Sequence, residues 1–180
     1  EMAGENILVT ATPGSDWYRY HPLMLQMLRA RLHAEDPNLE RDLRTRAAEW
    51  HEAQGEWLTA LEQAIASENW DLVGQVAMRS AFVEVFSGDR SELAELAARV
   101  PPEISHNNPE LQLLLALGAF IRADSDAGRA SAAAAARGIA ALPEPRRSLA
   151  QLNLSLLEAF AARGAGDASA QVTATPSRRS

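Results

Sequence analysis

Four histidines are the first side chains to consider for chemistry, because imidazole both ligates metals and transfers protons near neutral pH. They lie far apart along the chain, at His21, His33, His51 and His106. Asp124, Ser125 and Asp126 resemble the opening of a calcium loop, but the glycine and the closing glutamate that such a loop needs are missing. The chain has no cysteine, which removes thiolate metal sites, thiol nucleophiles and disulfides. The sequence therefore predicts no metal site.

Nucleotide and ester hydrolysis each depend on a short motif that this chain lacks. A phosphate-binding loop needs glycines followed by lysine, and all 17 basic residues here are arginine. A serine hydrolase needs a Gly-x-Ser-x-Gly turn, which does not occur. The carboxylates fall mostly on solvent-facing helix positions, where they serve solubility and i, i+4 pairing. We therefore expect a protein that is not an enzyme and that binds no cofactor through this part of the chain.

Three tryptophans at helical spacing offer a different chemistry, because indole rings stack on sugars and other planar ligands. They are Trp50, Trp57 and Trp70. The more frequent role of a tryptophan at such positions is core packing, since each ring buries about 200 Å². Two interpretations remain open: a candidate ligand or partner surface, or part of the hydrophobic core.

The first 35 residues combine a hairpin pattern with the start of a helix. Apolar and β-branched residues at 7–12, turn residues at 13–16 and aromatics from Trp17 predict a β-hairpin over 7–20. Pro22 suits the first turn of a helix, so a helix is expected over 22–35. His21 precedes it, and we expect its ring to join the strand exit to the helix start.

From residue 36 the chain alternates apolar helical stripes with turn residues. Helices are predicted from Pro37 to a glycine cap at Gly55, from Trp57, and from Trp70 after a Ser-Glu-Asn break. Four more helices are expected, over 90–100, 109–122, 126–142 and 149–163. Small and polar residues follow at 164–180, where we expect a disordered tail. The predicted fold is mainly all-α: an antiparallel helix-hairpin solenoid, tetratricopeptide-like, after a small N-terminal hairpin.

One motif at the hairpin exit carries a family resemblance. It runs Trp17, Tyr18, Arg19, Tyr20, His21, Pro22 and Leu23. Further elements follow at residues 28–32 (LRARL), 46–50 (RAAEW) and 60–65 (ALEQAI). Together they resemble the MalT-like large regulators of the LuxR family, and the resemblance covers roughly the first half of the chain. Those bacterial transcription activators have an ATPase core, a winged-helix segment, a tetratricopeptide-like sensor and a terminal helix-turn-helix.

The resemblance implies a domain organisation and a set of partners. Residues 1–35 would end the winged-helix segment, with the hairpin as its wing, and residues 36–163 would form a helical sensor or interaction domain. Its partners would be the ATPase core and helix-turn-helix of the same chain, a small-molecule or protein effector, and a second copy. The alternative is a helical-repeat adaptor between proteins, unrelated to transcription.

Composition limits where such a protein acts. The net charge is −7, so no broad cationic surface is available for phosphate backbones, and DNA contact is expected only through the parent protein. The longest apolar run, 111–121, is shorter than the roughly 20 residues that span a bilayer. No secretory leader is recognisable. We expect a cytoplasmic protein without a membrane partner.

Overall fold

A computed structural model describes residues 9–11, 18–81 and 90–173 of the chain. These residues are mainly helical, which confirms the expectation of a mainly all-α chain. Contacts divide the chain into two compact units, Glu1–Leu43 and Arg44–Ser180. The division falls inside the helix Pro37–Ala53, beyond residue 35 where the sequence placed a domain boundary. That boundary stays a prediction.

Two short strands open the first unit. Strand β1 (Val9–Ala11) pairs antiparallel with β2 (Tyr18–Tyr20), so that Val9 lies opposite Tyr20 and Ala11 lies opposite Tyr18. Both strands lie within the range 7–20 in which the sequence predicts a hairpin. Ile7, the turn residues and Trp17 lie outside the described residues.

Helix α1 (Pro22–Glu35) has the predicted bounds and begins at a histidine cap. The His21 Nδ1 accepts the Leu23 amide at 3.3 Å, and the His21 carbonyl accepts the Leu25 amide at 3.0 Å. Pro22 costs no hydrogen bond at this position, because first-turn amides have no intrahelical acceptor. No residue of α1 is buried, and Leu23 and Met27 are exposed on successive turns.

Helix α2 (Pro37–Ala53) ends at Gly55, as predicted. Gly55 has φ +78°, the left-handed conformation that glycine adopts without steric cost. The Gly55 amide donates to the Glu52 carbonyl and the Glu56 amide donates to the His51 carbonyl, at 3.0 and 2.9 Å. This pair of bonds is a Schellman motif, and it lets α3 (Trp57–Ala66) begin two residues later.

Helix α4 (Trp70–Val76) passes directly into a π-helical turn, Ala77–Ala81. Asn69 caps the helix, because its Oδ1 accepts the Leu72 amide at 3.2 Å. The sequence predicts the helix but not the π-turn. Residues 82–89 lie outside the described residues.

Helices α5 (Arg90–Ala98), α6 (Pro102–Ser105) and α7 (Pro109–Ile121) follow. Helix α5 ends before Pro101 and Pro102, and Pro102 then occupies the first turn of the separate short helix α6, where its missing amide has no cost. Asn108 opens α7 as predicted: its Oδ1 accepts the amides of Glu110 and Leu111, at 3.0 and 3.2 Å.

Helix α8 (Ser125–Gly138), a 3₁₀ turn (Ile139–Ala141) and α9 (Arg146–Thr173) complete the described chain. Asp124, considered above for calcium, caps α8 by accepting the Ala127 amide at 3.1 Å. Helix α9 continues to Thr173 and does not end near Arg163, so the expected tail from residue 164 is partly helical in the structure. Residues 174–180 lie outside the described residues, where the disordered tail stays a prediction.

The hydrophobic core of the second unit is built around α7. This helix is apolar on all sides and buries residues along most of its length, among them Leu111, Leu113, Leu114 and Leu117. A helix that is apolar all round is typical of a central position. Its most extensive packing is against α8, the next helix along the chain, followed by α5. Among the described residues, no helix is long and apolar enough to cross a membrane.

Candidate functional site

The described residues of the junction motif lie in β2 and in the first turn of α1. Tyr18, Arg19 and Tyr20 form β2, His21 caps α1, and the helix opens with Pro22 and Leu23. Tyr20 and Leu23 are exposed, with 52% and 69% of their surface accessible. Trp17 lies outside the described residues. The described part of the motif forms a capped strand-to-helix junction.

The three tryptophans occupy two kinds of environment. Trp57 and Trp70 are half-buried against the hydrophobic core. Trp50 is 46% exposed, and its ring meets the His51 ring edge-on at a centroid distance of 4.9 Å. None of the three lines any of the cavities described below. The tryptophan surface that the sequence suggested stays a prediction.

A buried carboxylate lies at the start of α7. The Glu110 side chain is 1% exposed, and it receives two hydrogen bonds from the Arg146 guanidinium of α9. One joins Arg146 Nε to Glu110 Oε1 at 3.0 Å, and the other joins Arg146 Nη2 to Glu110 Oε2. Arg146 Nη2 also contacts Asp71 Oδ1, on α4, at 2.8 Å. The pair therefore links three helices of the second unit.

The electrostatics of this pair keep the guanidinium charged. The hydrogen bond that Arg146 donates to Glu110 raises the pKa of Arg146 above its ordinary value, partial burial opposes that rise, and the hydrogen bond donated to Asp71 adds to it. Arginine is already charged at its ordinary pKa, and these contacts hold it so. Bidentate arginine–carboxylate pairs of this kind fix geometry as well as charge.

Glycine at position 74 allows α4 to approach the buried carboxylate. A Cβ atom on Gly74 would lie 2.8 Å from Glu110 Oε2 and 3.1 Å from Glu110 Cβ. The first distance is shorter than real Cβ atoms show and the second is tighter than most, so a side chain at position 74 would force Glu110 or α4 to shift.

The π-turn that follows α4 is held in place by contacts with two other helices. Its Met78 carbonyl accepts a hydrogen bond from Asn153 Nδ2 of α9 at 2.8 Å, and Asn153 is buried. Arg79 of the turn donates from Nε and Nη2 to the two carboxylate oxygens of Glu52, at 2.6 and 2.8 Å. Single π-turns inserted in α-helices occur frequently at functional sites.

These groups border a cavity of about 610 Å³, here called the Arg146 cleft. It lies between the α4 end with its π-turn and the first two turns of α9, and its remaining walls are largely apolar: Met78, Pro145, Leu149 and Leu152. Leu152 is 56% exposed at its edge. Ligand sites are commonly clefts of about 300–1,000 Å³ with apolar walls and a few convergent polar groups, and the Arg146 cleft has that character.

Two further cavities lie on the α5 side of the second unit. One, of about 690 Å³, lies between α5 and the end of α7. The other, of about 970 Å³, extends across α6, α7 and α8, and is here called the Arg137 groove. Arg122 and Ala98 line both cavities, so the two are neighbours.

The histidines serve local contacts where the structure describes them. His33 Nδ1 lies 2.8 Å from Glu40 Oε2, His51 Nδ1 lies 2.6 Å from Glu56 Oε2, and His106 Nδ1 lies 2.8 Å from the Pro102 carbonyl. Within the described ranges, no three histidine, aspartate or glutamate side chains are grouped closely enough to hold a metal ion.

Comparison with known proteins bears on the first unit. Residues 1–40 match the family model of the MalT winged helix domain. At family level, this match supports a MalT-like transcription regulator. No curated protein and no solved structure matches the chain.

Sequence reasoning missed the residues of the Arg146 cleft. Glu110 and Arg146 stand 36 positions apart, and each by itself looks like an ordinary charged residue near a helix start. One signal was available: Glu110 opens the most apolar helix of the chain, where a carboxylate needs a partner if it is buried.

Proposed function

We propose that this chain is a non-catalytic regulatory part of a bacterial, MalT-like transcription regulator of the LuxR family. The observation that carries the proposal is the match of residues 1–40 to the MalT winged helix domain. The match does not favour a helical-repeat adaptor unrelated to transcription. In the parent protein, the N-terminal unit would end the winged-helix segment and the helical unit would sense a signal.

In this proposal the pair β1–β2 is the wing of that segment. Their antiparallel pairing and the His21 cap support a defined turn from strand to helix. The exposed apolar residues of α1, such as Leu23 and Met27, offer a surface for other domains of the same chain. Those domains are the ATPase core and the helix-turn-helix that the family resemblance implies, and DNA would be bound through the latter.

The helical unit would be a tetratricopeptide-like solenoid of antiparallel helix hairpins. The packing of α3 on α4 and of α7 on α8 supports this proposal, while the contact of α9 with the turn after α4 departs from a strictly linear array. We place the protein in the cytoplasm, and self-association through the helical unit is part of the proposal.

The Arg146 cleft is the effector site that we propose for this sensor. Three features support it: apolar walls, a guanidinium held rigidly by a buried carboxylate, and a π-turn whose backbone is fixed by Asn153. An effector with an apolar body and one polar group would fit, since Leu149 and Leu152 would cover the body while Arg146 faces the polar group.

The coding sequence on either side of this chain tests the regulator proposal. We expect a glycine-lysine phosphate loop upstream and a helix-turn-helix downstream. If neither is encoded in the parent gene, the regulator proposal is wrong and an adaptor becomes the better explanation.

The effector site is tested separately with 1-anilinonaphthalene-8-sulfonate, which combines an apolar body with an anionic group. We expect saturable fluorescence enhancement, and Leu152→Ser should weaken binding about fivefold by removing apolar contact. Ile104→Ser is the matched control, because Ile104 is also exposed on a helix but lines none of the three cavities. Equal weakening by both variants would exclude the cleft as the binding site.

A further inference from the structure

The Arg137 groove differs in charge from the rest of the molecule. The whole chain has a net charge of −7, yet the groove is lined by two arginines, Arg122 and Arg137, and none of its lining residues is aspartate or glutamate. A concave surface with one sign of charge concentrates counter-ions of the opposite sign. The groove is therefore a cationic site on an acidic protein.

Both guanidiniums have nitrogen atoms that donate no hydrogen bond within the described part of the chain. Arg122 Nη1 donates to the Ala94 carbonyl at 2.9 Å, which orients the group and leaves its other nitrogens without a partner among the described residues. The side chain of Arg137, near the end of α8, forms no ion pair and no hydrogen bond within the part of the chain that the structure describes. Arginine presents its donors in a planar fork that matches carboxylate and phosphate oxygens.

Neutral polar side chains complete the groove between the arginines. Gln112 Nε2 donates to Ser105 Oγ at 3.2 Å, and Ser105 Oγ donates to the Pro102 carbonyl at 3.0 Å, so two buried polar groups are held in place. His106 and Asn107 line the same stretch. Gln112 Nε2 keeps a second hydrogen that a ligand can accept, and the lining of the groove contains no carboxylate that would neutralise a cation.

We propose that the Arg137 groove binds a small anion that carries a carboxylate or a phosphate group. The proposal does not depend on the function proposed above, because the groove is lined by other helices than the Arg146 cleft. Its dimensions admit more than a single inorganic ion, so an organic anion of moderate size is the expected occupant.

NMR titration of the isotope-labelled 180-residue chain tests the proposal. Inorganic phosphate and succinate are added in separate experiments, with sodium chloride holding the ionic strength constant because exposed charges are screened by salt. We expect saturable shifts of the Arg122 and Arg137 Nε–H signals and of the Gln112 side-chain amide. The ligand giving the lower dissociation constant identifies the preferred anionic group.

A matched pair of variants distinguishes specific anion binding at the groove from non-specific attraction of anions to arginine side chains. Arg137→Gln should weaken binding of the preferred anion about fivefold. Arg129→Gln changes an equally exposed arginine of the same helix with the same loss of charge, and should leave binding unchanged, because Arg129 pairs with Asp126 and lines none of the cavities. Shifts that do not saturate, or equal weakening by both variants, would overturn the proposal.

Discussion

Arg146 Nε donates to Glu110 Oε1 at 3.0 Å, across 36 positions of sequence, and joins the first turn of α9 to the first turn of α7. The carboxylate is buried while the guanidinium is partly accessible, so the two partners are not equivalent. Removal of Arg146 leaves a buried charge without compensation, which is more costly than removal of an exposed ion pair.

Arg146→Ala should therefore lower the free energy of unfolding by about 3 kcal/mol. Arg147→Ala is the control: the neighbouring arginine is more exposed, its contact with Glu144 is 3.8 Å long, and its Nε donates one hydrogen bond to the Leu142 carbonyl at 2.9 Å, so its loss should cost about 1 kcal/mol. Urea denaturation of both variants checks the difference. If both variants lost a similar free energy of unfolding, the buried Glu110 carboxylate would not need the charge of Arg146.

Gly74→Ala should destabilise the protein even though alanine is the better helix former. Its Cβ would lie 2.8 Å from Glu110 Oε2, so the carboxylate or the helix must shift, at a cost of about 2 kcal/mol. Gln75→Ala, one position further along α4, introduces no new atom and should change stability by about 0.5 kcal/mol or less. A higher melting temperature for Gly74→Ala would show that α4 and α7 leave room for a Cβ atom at position 74.

Asn153→Ala should weaken the π-turn. The Met78 carbonyl would lose its side-chain donor, at a cost of about 2 kcal/mol in the free energy of unfolding. Hydrogen exchange should show the loss locally, as faster exchange of amides at 77–81. Ser155→Ala, which removes only an exposed bond to the Gln151 carbonyl, serves as the control and should leave that exchange unchanged.

Ala123→Gly is expected to stabilise the protein. Ala123 has φ +62°, and the amides of Ala123 and Asp124 donate to the Phe120 and Ala119 carbonyls, which makes it the left-handed residue of a Schellman motif. Glycine adopts this conformation without the roughly 1 kcal/mol cost that a side chain carries. Ala133→Gly, at an exposed interior position of α8, should instead lose about 1 kcal/mol. Melting temperatures that move in the same direction for both variants would contradict this assignment.

The bounds of most helices could be predicted from local chemistry. Pro22, Gly55 and Asn108 mark helix ends because each acts on backbone groups within a few residues, and the structure places helix ends at all three. Apolar periodicity was less complete as a guide. Leu23 and Met27 recur at helical spacing in α1, but burial needs a partner surface, and both are exposed.

The candidate sites could not be predicted, because each is assembled from distant parts of the chain. Met78 and Asn153 are 75 positions apart, and neither residue type indicates a π-turn. The Arg137 groove draws its arginines from the ends of α7 and α8, and the packing of these two helices on each other determines their relative placement. Sequence patterns report on neighbours along one helix, whereas these sites depend on how different helices meet.

The bond from Asn153 to the Met78 carbonyl also affects how the helical unit can be divided. In a linear array each repeat contacts only its neighbours, so terminal repeats can be removed with little effect on the rest. Here the last described helix is attached to a turn that lies near the opposite end of the unit in sequence. A deletion that begins before residue 153 would thus damage the α4 turn as well as α9, and a shortened version of this unit should retain both.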